Sequence, residues 1–325
     1  MNIVVWGLGN HAKNRILPAI FNSKHFHLYG VCSRNANEVI KASKAYDTRG
    51  WTSSTKMLID KDIHAVYLST PPSLHKNQGI RILESGKHLL CEKPLTMDYR
   101  ETEELISKSI SKNLCVSEAL MYQYHPHFLE IKKILESNIL GQVKKVSSSF
   151  TLPTLDEPGY RNIYELGASS LLDLGIYPIS LIISLFKNQK LDLVNKKIES
   201  EENLKYDTSG EAEYISDNGT VYYINWAYDR SYKNEIIIVG ENLELRSNFI
   251  FSKKQDHVAK INLYKKEILV KEITVDAVDH FALMLKSFRA SIESEEIFEL
   301  ESHPSVSLSK RMDDIKNLKQ EKTSV

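Results

Sequence analysis

An acid, a base and a proline close one apolar run of the chain. The stretch "HLLCEKP" ends in Glu92, Lys93 and Pro94, and Pro94 cannot continue a backbone ladder. Opposite charges at the end of a buried strand are tolerated where the strand opens into a wet, polar crevice. Charges are placed there when they do chemistry, the alternative being a surface turn. A second constellation sits at the N-terminus, where "VVWGLGNHA" carries Gly7-x-Gly9-x-x-Ala12. Glycines at this spacing permit a tight turn and close backbone approach, and they aim a helix N-terminus at a pyrophosphate. The chemistry implied is dinucleotide binding, as against a structural turn.

Both constellations need a particular scaffold. Residues 1–118 alternate short β-branched or apolar runs ("NIVVWG", "HLYGVCS", "HAVYLST", "KHLLCE", "LCVSEA") with longer amphipathic ones. Strand–helix alternation with continuous apolar strands predicts a parallel sheet covered on both faces, an N-terminal Rossmann domain. Beyond residue 140 strand-like runs follow one another, joined by turn residues such as Asp217-Asn218-Gly219. That texture predicts an α+β domain with a large, mostly antiparallel open sheet. The boundary is expected near 118, giving domains at 1–118 and 119–325. Closing helices are expected at 279–294 and 306–321, and a polar loop at 187–206.

In this frame "KHLLCE" is the fifth strand of the parallel sheet, and Lys93 is expected to enter the crevice at its carboxyl edge, where such sheets bind ligands. The second strand ends in "VCSRN", with no Asp or Glu between Phe26 and Asn37. An acid there would hold the ribose hydroxyls of NAD. Ser33 and Arg34 suit a 2′-phosphate instead, so NADP is expected over NAD. The fourth strand ends in Thr70-Pro71-Pro72, a stiff exit at the same edge, and His75 follows, facing either crevice or solvent.

Composition narrows the classes. The 325 residues are 42% hydrophobic and carry 42 basic and 42 acidic side chains. With no net charge there is no field to draw nucleic acid or an anionic membrane. Cys32, Cys91 and Cys115 read as reduced thiols, no leader is legible, and a cytoplasmic location is expected. The apolar stretch 170–186 is interrupted by Asp173, Gly175 and Pro178 and is not expected to span a bilayer. His25/His27 and His125/His127 lack a third ligand at a recognisable spacing, so no metal is expected.

The motifs together resemble the glucose–fructose oxidoreductase, inositol dehydrogenase and rhizopine-catabolism (Gfo/Idh/MocA) family. The likeness runs through Gly7-Leu8-Gly9-Asn10-His11-Ala12, Ser33-Arg34, Thr70-Pro71-Pro72 with His75, and Glu92-Lys93-Pro94, then "EALMYQYHP" (118–126), "GQV" and "DLGIYP" (173–178). It implies an NAD(P)-dependent oxidoreductase on CH–OH donors, with Lys93 as catalytic lysine, Asp173 as an acid holding a sugar or polyol, and Tyr177 as proton-transferring residue. It also implies cofactor contacts from Asn10, His11, His75 and Glu92. Gln123 stands where the family carries arginine, and Gly167-Ala168 where it carries two glycines.

Asp173 and Tyr177 are four apart and share a face on a helix. A tyrosine with pKa about 10 needs a nearby cation to part with its proton, and Lys93 can supply it. Glu92 orients the lysine, contacts ribose or is a structural partner. Arg161 either meets an anionic group of the substrate or is solvated, and Tyr122, within "EALMYQYHP", is a further substrate candidate. The expected substrate is a sugar, polyol or nucleotide-linked sugar. The alternatives are a dihydrodiol- or xylose-dehydrogenase-like enzyme and a non-catalytic NAD(P)-binding regulator. A homodimer or homotetramer through the second sheet is expected.

Overall fold

The computed structural model describes residues 1–187, 189–294 and 299–317. Packing divides the chain into two compact units. One comprises Met1–Met121 and Asp279–Ser309, the other Tyr122–Val278 and the chain from Lys310 onward. The sequence places everything after 118 in the second domain, yet Asp279–Ser309 groups with the first unit. The reason is apolar. Helix His280–Glu293, N-capped by Asp279, buries Phe281, Met284, Leu285 and Phe288. Phe288 stacks on Phe26 at 5.8 Å and Phe281 meets His11 edge-on at 5.5 Å. Val306, further along, joins the core beside the parallel sheet.

The first unit holds six parallel strands: β1 (Asn2–Trp6), β2 (His27–Cys32), β3 (Arg49–Trp51), β4 (Ala65–Leu68), β5 (His88–Cys91) and β6 (Val116–Glu118). Their order is β3-β2-β1-β4-β5-β6. The order reverses between β1 and β4, and a doubly wound sheet opens its ligand crevice there. All four residues of β4 are buried, as a strand covered on both faces requires.

The second unit holds eight strands in the order β14-β13-β12-β11-β7-β10-β9-β8. They are β7 (Val143–Thr151), β8 (Leu191–Glu199), β9 (Ser209–Ser216), β10 (Val221–Ala227), β11 (Lys233–Gly240), β12 (Glu244–Asn248), β13 (Ala259–Lys265) and β14 (Ile268–Val275). All neighbours pair antiparallel except β7 and β10. Strand β8 replaces the loop expected at 187–206. It is an edge strand pairing only with β9, with an irregularity between Leu193 and Asn195, so it tolerates a polar and poorly alternating sequence. The last helix is Pro304–Asn317, and residues 318–321 of the expected one lie outside the described residues.

Segment Tyr164–Leu185 is long and apolar enough to cross a membrane by length and composition alone, but 89% of its most apolar window is buried inside the protein, as in a core helix. No disulfide joins the cysteines among the described residues, and Cys32 and Cys91 are buried.

Candidate active site

The start of the glycine turn is tied to both neighbouring strands' exits: Gly7 N–H donates to Cys32 O at 2.9 Å, and Ser69 N–H to Trp6 O at 2.8 Å. Gly7 sits at φ +109°, where a Cβ would fall 2.2 Å from Ser69 O, so only glycine fits. A Cβ on Gly9 would meet nothing within 4 Å. The turn is therefore tight beneath Gly7 and open over Gly9, the shape a pyrophosphate needs. The following helix begins with a wide turn at Ala12–Ile16, where Leu17 N–H reaches back to Ala12 O. Pro18, with no N–H to give, stands just beyond it, so the ladder slips by one residue.

At the end of β2, Ser33 is half-buried and Arg34 exposed. Asn35 caps helix Ala36–Ala45 through Asn37 and Glu38 N–H. Glu38, the first acid after the strand, is held by Lys13 at 2.9 Å. A 2′-phosphate at Arg34 would meet no uncompensated carboxylate, so the loop fits NADP. NADPH is expected to bind more tightly than NADH, and Arg34→Ala to narrow the gap. A charge-assisted contact of about 1.5–3 kcal/mol corresponds to a preference of roughly tenfold or more. Equal affinities for the two cofactors in a fluorescence titration would refute it.

His75 faces neither crevice nor solvent. It is fully buried, with Nδ1 2.8 Å from Pro94 O and Nε2 2.8 Å from Thr70 O. Burial pushes its pKa down against the pull of those carbonyls and Glu92. The ring thus ties the exit of β4 to that of β5, which corrects its expected place as a direct cofactor contact. Thr70 donates its hydroxyl to Gln78 Oε1 at 2.6 Å, and Pro71 O accepts Leu74 N–H at 3.0 Å.

Glu92 is anchored. It accepts from Tyr67 OH at 2.5 Å and lies 2.9 Å from His11 Nε2. Burial alone would raise its pKa, but His11, the Tyr67 hydroxyl and Lys93 outweigh it and hold the carboxyl at about 2. Of the three roles open to it, a structural partner is the one these bonds serve. A depressed carboxyl contributes stability above its unfolded pKa and loses it as pH falls through the folded value. The gap in melting temperature between the native protein and Glu92→Gln is therefore expected to be full at neutral pH and to close between about pH 4.5 and 2. A gap unchanged down to pH 2 in thermal unfolding would contradict this. Lys93 follows directly, where β5 leaves the sheet at its carboxyl edge.

In the second unit a wide turn at Leu171–Gly175 precedes helix Ile176–Leu185, with Ile176 N–H reaching Leu171 O two residues before Pro178. It repeats the device at Pro18, and such turns often mark functional sites. Its N-terminal end is held by Asp207, which accepts from Ser169 Oγ at 2.6 Å, Ser170 Oγ at 2.5 Å and Leu171 N–H at 2.7 Å.

Asp173 is 1% exposed and fully engaged. Arg161 donates Nε–H to Oδ2 at 2.5 Å and Nη2–H to Oδ1 at 3.2 Å; Tyr160 and Tyr228 hydroxyls add bonds at 3.2 and 3.1 Å. Asp173 raises the pKa of Arg161, while burial and then Asp173 raise that of Tyr228. Arg161 is thus the partner of the buried acid rather than a solvated arginine.

Tyr177 is 6% exposed and packs in an aromatic cluster with Phe150 at 5.0 Å, Phe251 at 5.5 Å and Tyr122 at 6.0 Å. Tyr122 is fully buried, with its hydroxyl 2.8 Å from Ser180 Oγ, and burial pushes its pKa up. It is a core residue, which corrects its expected place as a substrate contact. Gln123 donates to Ser184 Oγ at 3.0 Å and so serves the same core.

Tyr160, Tyr228 and Asp207 are not marked by any motif of the sequence. No local signal marks them, since their partners lie 13, 55 and 36 positions away. Among the described residues no group of three or more His, Cys, Asp or Glu is placed to hold a metal ion.

Comparison with known proteins gives a consistent picture. Residues 1–120 match the oxidoreductase family with an NAD-binding Rossmann fold, and residues 128–246 match the GFO/IDH/MocA C-terminal domain. The chain is 24% identical over 296 residues to a dTDP-3,4-didehydro-2,6-dideoxy-α-D-glucose 3-reductase of Actinomadura kijaniata, covering 91% of this chain and 89% of the relative. It is 31% identical over 185 residues to an NADP(+) scyllo-inositol 2-dehydrogenase of Bacillus subtilis, covering 54% and 56%. Its fold is shared with the crystal structure of KijD10, a 3-ketoreductase from A. kijaniata in complex with NADP and TDP-benzene. That match has a TM-score of 0.92 at 23% identity and covers 97% of each chain.

Proposed function

Because the chain belongs to the GFO/IDH/MocA oxidoreductase family, we propose that it reduces the keto group of a nucleotide-linked sugar with NADPH. Relatives covering about nine-tenths of the chain that bear the dTDP-sugar 3-reductase name support this substrate class. The observation that carries the reading is Lys93, delivered at the carboxyl edge of a doubly wound sheet whose glycine turn is open over Gly9.

NADPH bound there would supply a hydride. The turn Gly7–Ala12, with Asn10 and His11, would hold the pyrophosphate side, and Ser33 and Arg34 would take the 2′-phosphate. Thr70 and Pro71 would flank the crevice. The Lys93 ammonium would stabilise negative charge on the carbonyl oxygen of the substrate. Tyr177 would give its hydroxyl proton to that oxygen and recover one from solvent. Asp173, with both oxygens engaged, fixes Arg161 and the wide turn ahead of Tyr177.

The test is a substrate panel followed by NADPH absorbance: its loss with NADPH and a dTDP-linked 3-keto sugar or a free keto-inositol, and its gain with NADP and an aromatic dihydrodiol. Turnover of the dTDP-linked sugar well above the other two is expected. Turnover confined to the compounds without a nucleotide would overturn the substrate class.

The second sheet also supports self-association. Ile215, Val221, Tyr223, Ile237 and Val239 alternate to the face opposite Tyr222, Ile224, Ile236 and Ile238, and they are only partly covered. A homodimer or homotetramer through this face is expected, and light scattering that finds only monomer at micromolar concentration would contradict it.

A further inference from the structure

Three side chains grip the segment that carries Lys93. Glu92 is tied to Tyr67 and His11, His75 bonds to Pro94 O, and Glu118 Oε1 accepts Leu95 N–H at 2.8 Å. Glu118 ends β6, opposite Cys91 across the sheet, and is buried. Ser305 lies near enough to favour its ionised form. A buried carboxyl held by a backbone amide, with no salt bridge to a cation among the described residues, is costly to keep ionised, and a structural role alone would be met by a glutamine.

We propose that Glu118 is a positioning residue for Lys93, holding the Lys93–Leu95 loop through Leu95 N–H and supplying the buried carboxyl whose charge answers the lysine ammonium. The proposal rests on the reading of Lys93 given above. The charged and titratable groups around Glu118 are few. From β5 and its exit come Cys91, Glu92 and Lys93; Lys93 favours the ionised carboxylate and Glu92 opposes it. The C-terminal segment brings Ser305 and also His303, which bonds to the Val116 backbone and is held neutral by burial, with a pKa of about 4. Burial dominates, and the Glu118 carboxyl is pushed up to about 7. Near neutral pH it exchanges a proton. When ionised, it makes a stronger charge-assisted bond to Leu95 N–H and favours the charged lysine.

The test compares native protein with Glu118→Gln, which keeps an acceptor oxygen and removes the titration. With a keto substrate turned over by the native protein, kcat is expected to rise with a limb near pH 7. A single ionisation there gives roughly a tenfold change between pH 6 and 8. In Glu118→Gln that limb is expected to vanish while NADPH affinity is kept. Ser305→Ala removes a hydroxyl that lowers the Glu118 pKa and is expected to move the limb to higher pH.

A second arm needs no substrate. A carboxyl raised by folding contributes stability below its unfolded pKa and loses it as pH rises through the folded value. Thermal stability of the native protein is therefore expected to decline relative to Glu118→Gln between about pH 4.5 and 7. An unmoved limb in both variants, or parallel stability curves, would overturn the proposal. A native protein that turns over no keto sugar would fail the functional reading, and the unfolding arm would still decide this one.

Discussion

Lys93→Met is expected to remove nearly all turnover while leaving the fold and NADPH binding in place. Methionine keeps the length and apolar stem of lysine, so the exit of β5 keeps its packing and loses the ammonium. An ammonium beside a carbonyl oxygen that becomes negative stabilises the transition state far more than the ground state. Losing one such donor costs about 10²–10³-fold in kcat, and the mechanism proposed above also gives this cation a part in proton release from tyrosine. The loss should therefore equal or exceed that of the tyrosine variant. Steady-state kcat with unchanged NADPH affinity by titration is the readout, and a variant within tenfold of native turnover would remove Lys93 from the chemistry.

Tyr177→Phe is the second large effect. The ring sits among Phe150, Phe251 and Tyr122, and phenylalanine fills that place without one hydroxyl. Folding and NADPH binding should survive, while turnover falls by about 10²–10⁴-fold, the usual contribution of a positioned acid or base. The double variant should be little worse than the poorer single one, because the two proposed roles serve one step and residues that act as a unit fail together. Near-native turnover in Tyr177→Phe would mean that the proton comes from another group or from water.

How much of this was legible beforehand follows the range of the interactions. The doubly wound sheet was readable because buried parallel strands are apolar throughout, as "AVYL" at β4 shows. The Gly7 turn and the Glu92-Lys93-Pro94 exit are local motifs, and the structure places both at the edges their sequences implied. What failed was either non-local or weakly patterned. Strand β8 has one neighbour and needs little alternation, so its sequence reads as loop. Helix His280–Glu293 was legible as a helix, but its assignment to the first unit depends on Phe26 and His11, more than 250 positions away.

The site shows the same division. Asp173 lies in an apolar helix, where a lone buried acid is costly, and the structure supplies Arg161 with two tyrosines. The need was readable from the apolar helix around it; the identity of Tyr228 was not. His75 and Tyr122 were drawn toward ligands by the motifs that contain them. Both are instead buried and bonded to loop carbonyls or to the helix they brace. A motif marks a position as constrained, and packing decides whether the constraint is contact or support.

The most direct test of the central claim follows the hydride itself. The protein is incubated with NADPH deuterated at C4, each face in turn, and a dTDP-linked 3-keto sugar, and the sugar product is weighed by mass spectrometry. One deuterium is expected on the former carbonyl carbon, delivered from one face of the nicotinamide only. Labelled product is expected to be almost absent with Lys93→Met and Tyr177→Phe, although both still bind NADPH. Native affinity for NADPH with no deuterium in the sugar would contradict hydride transfer and leave a protein that holds the cofactor without using it.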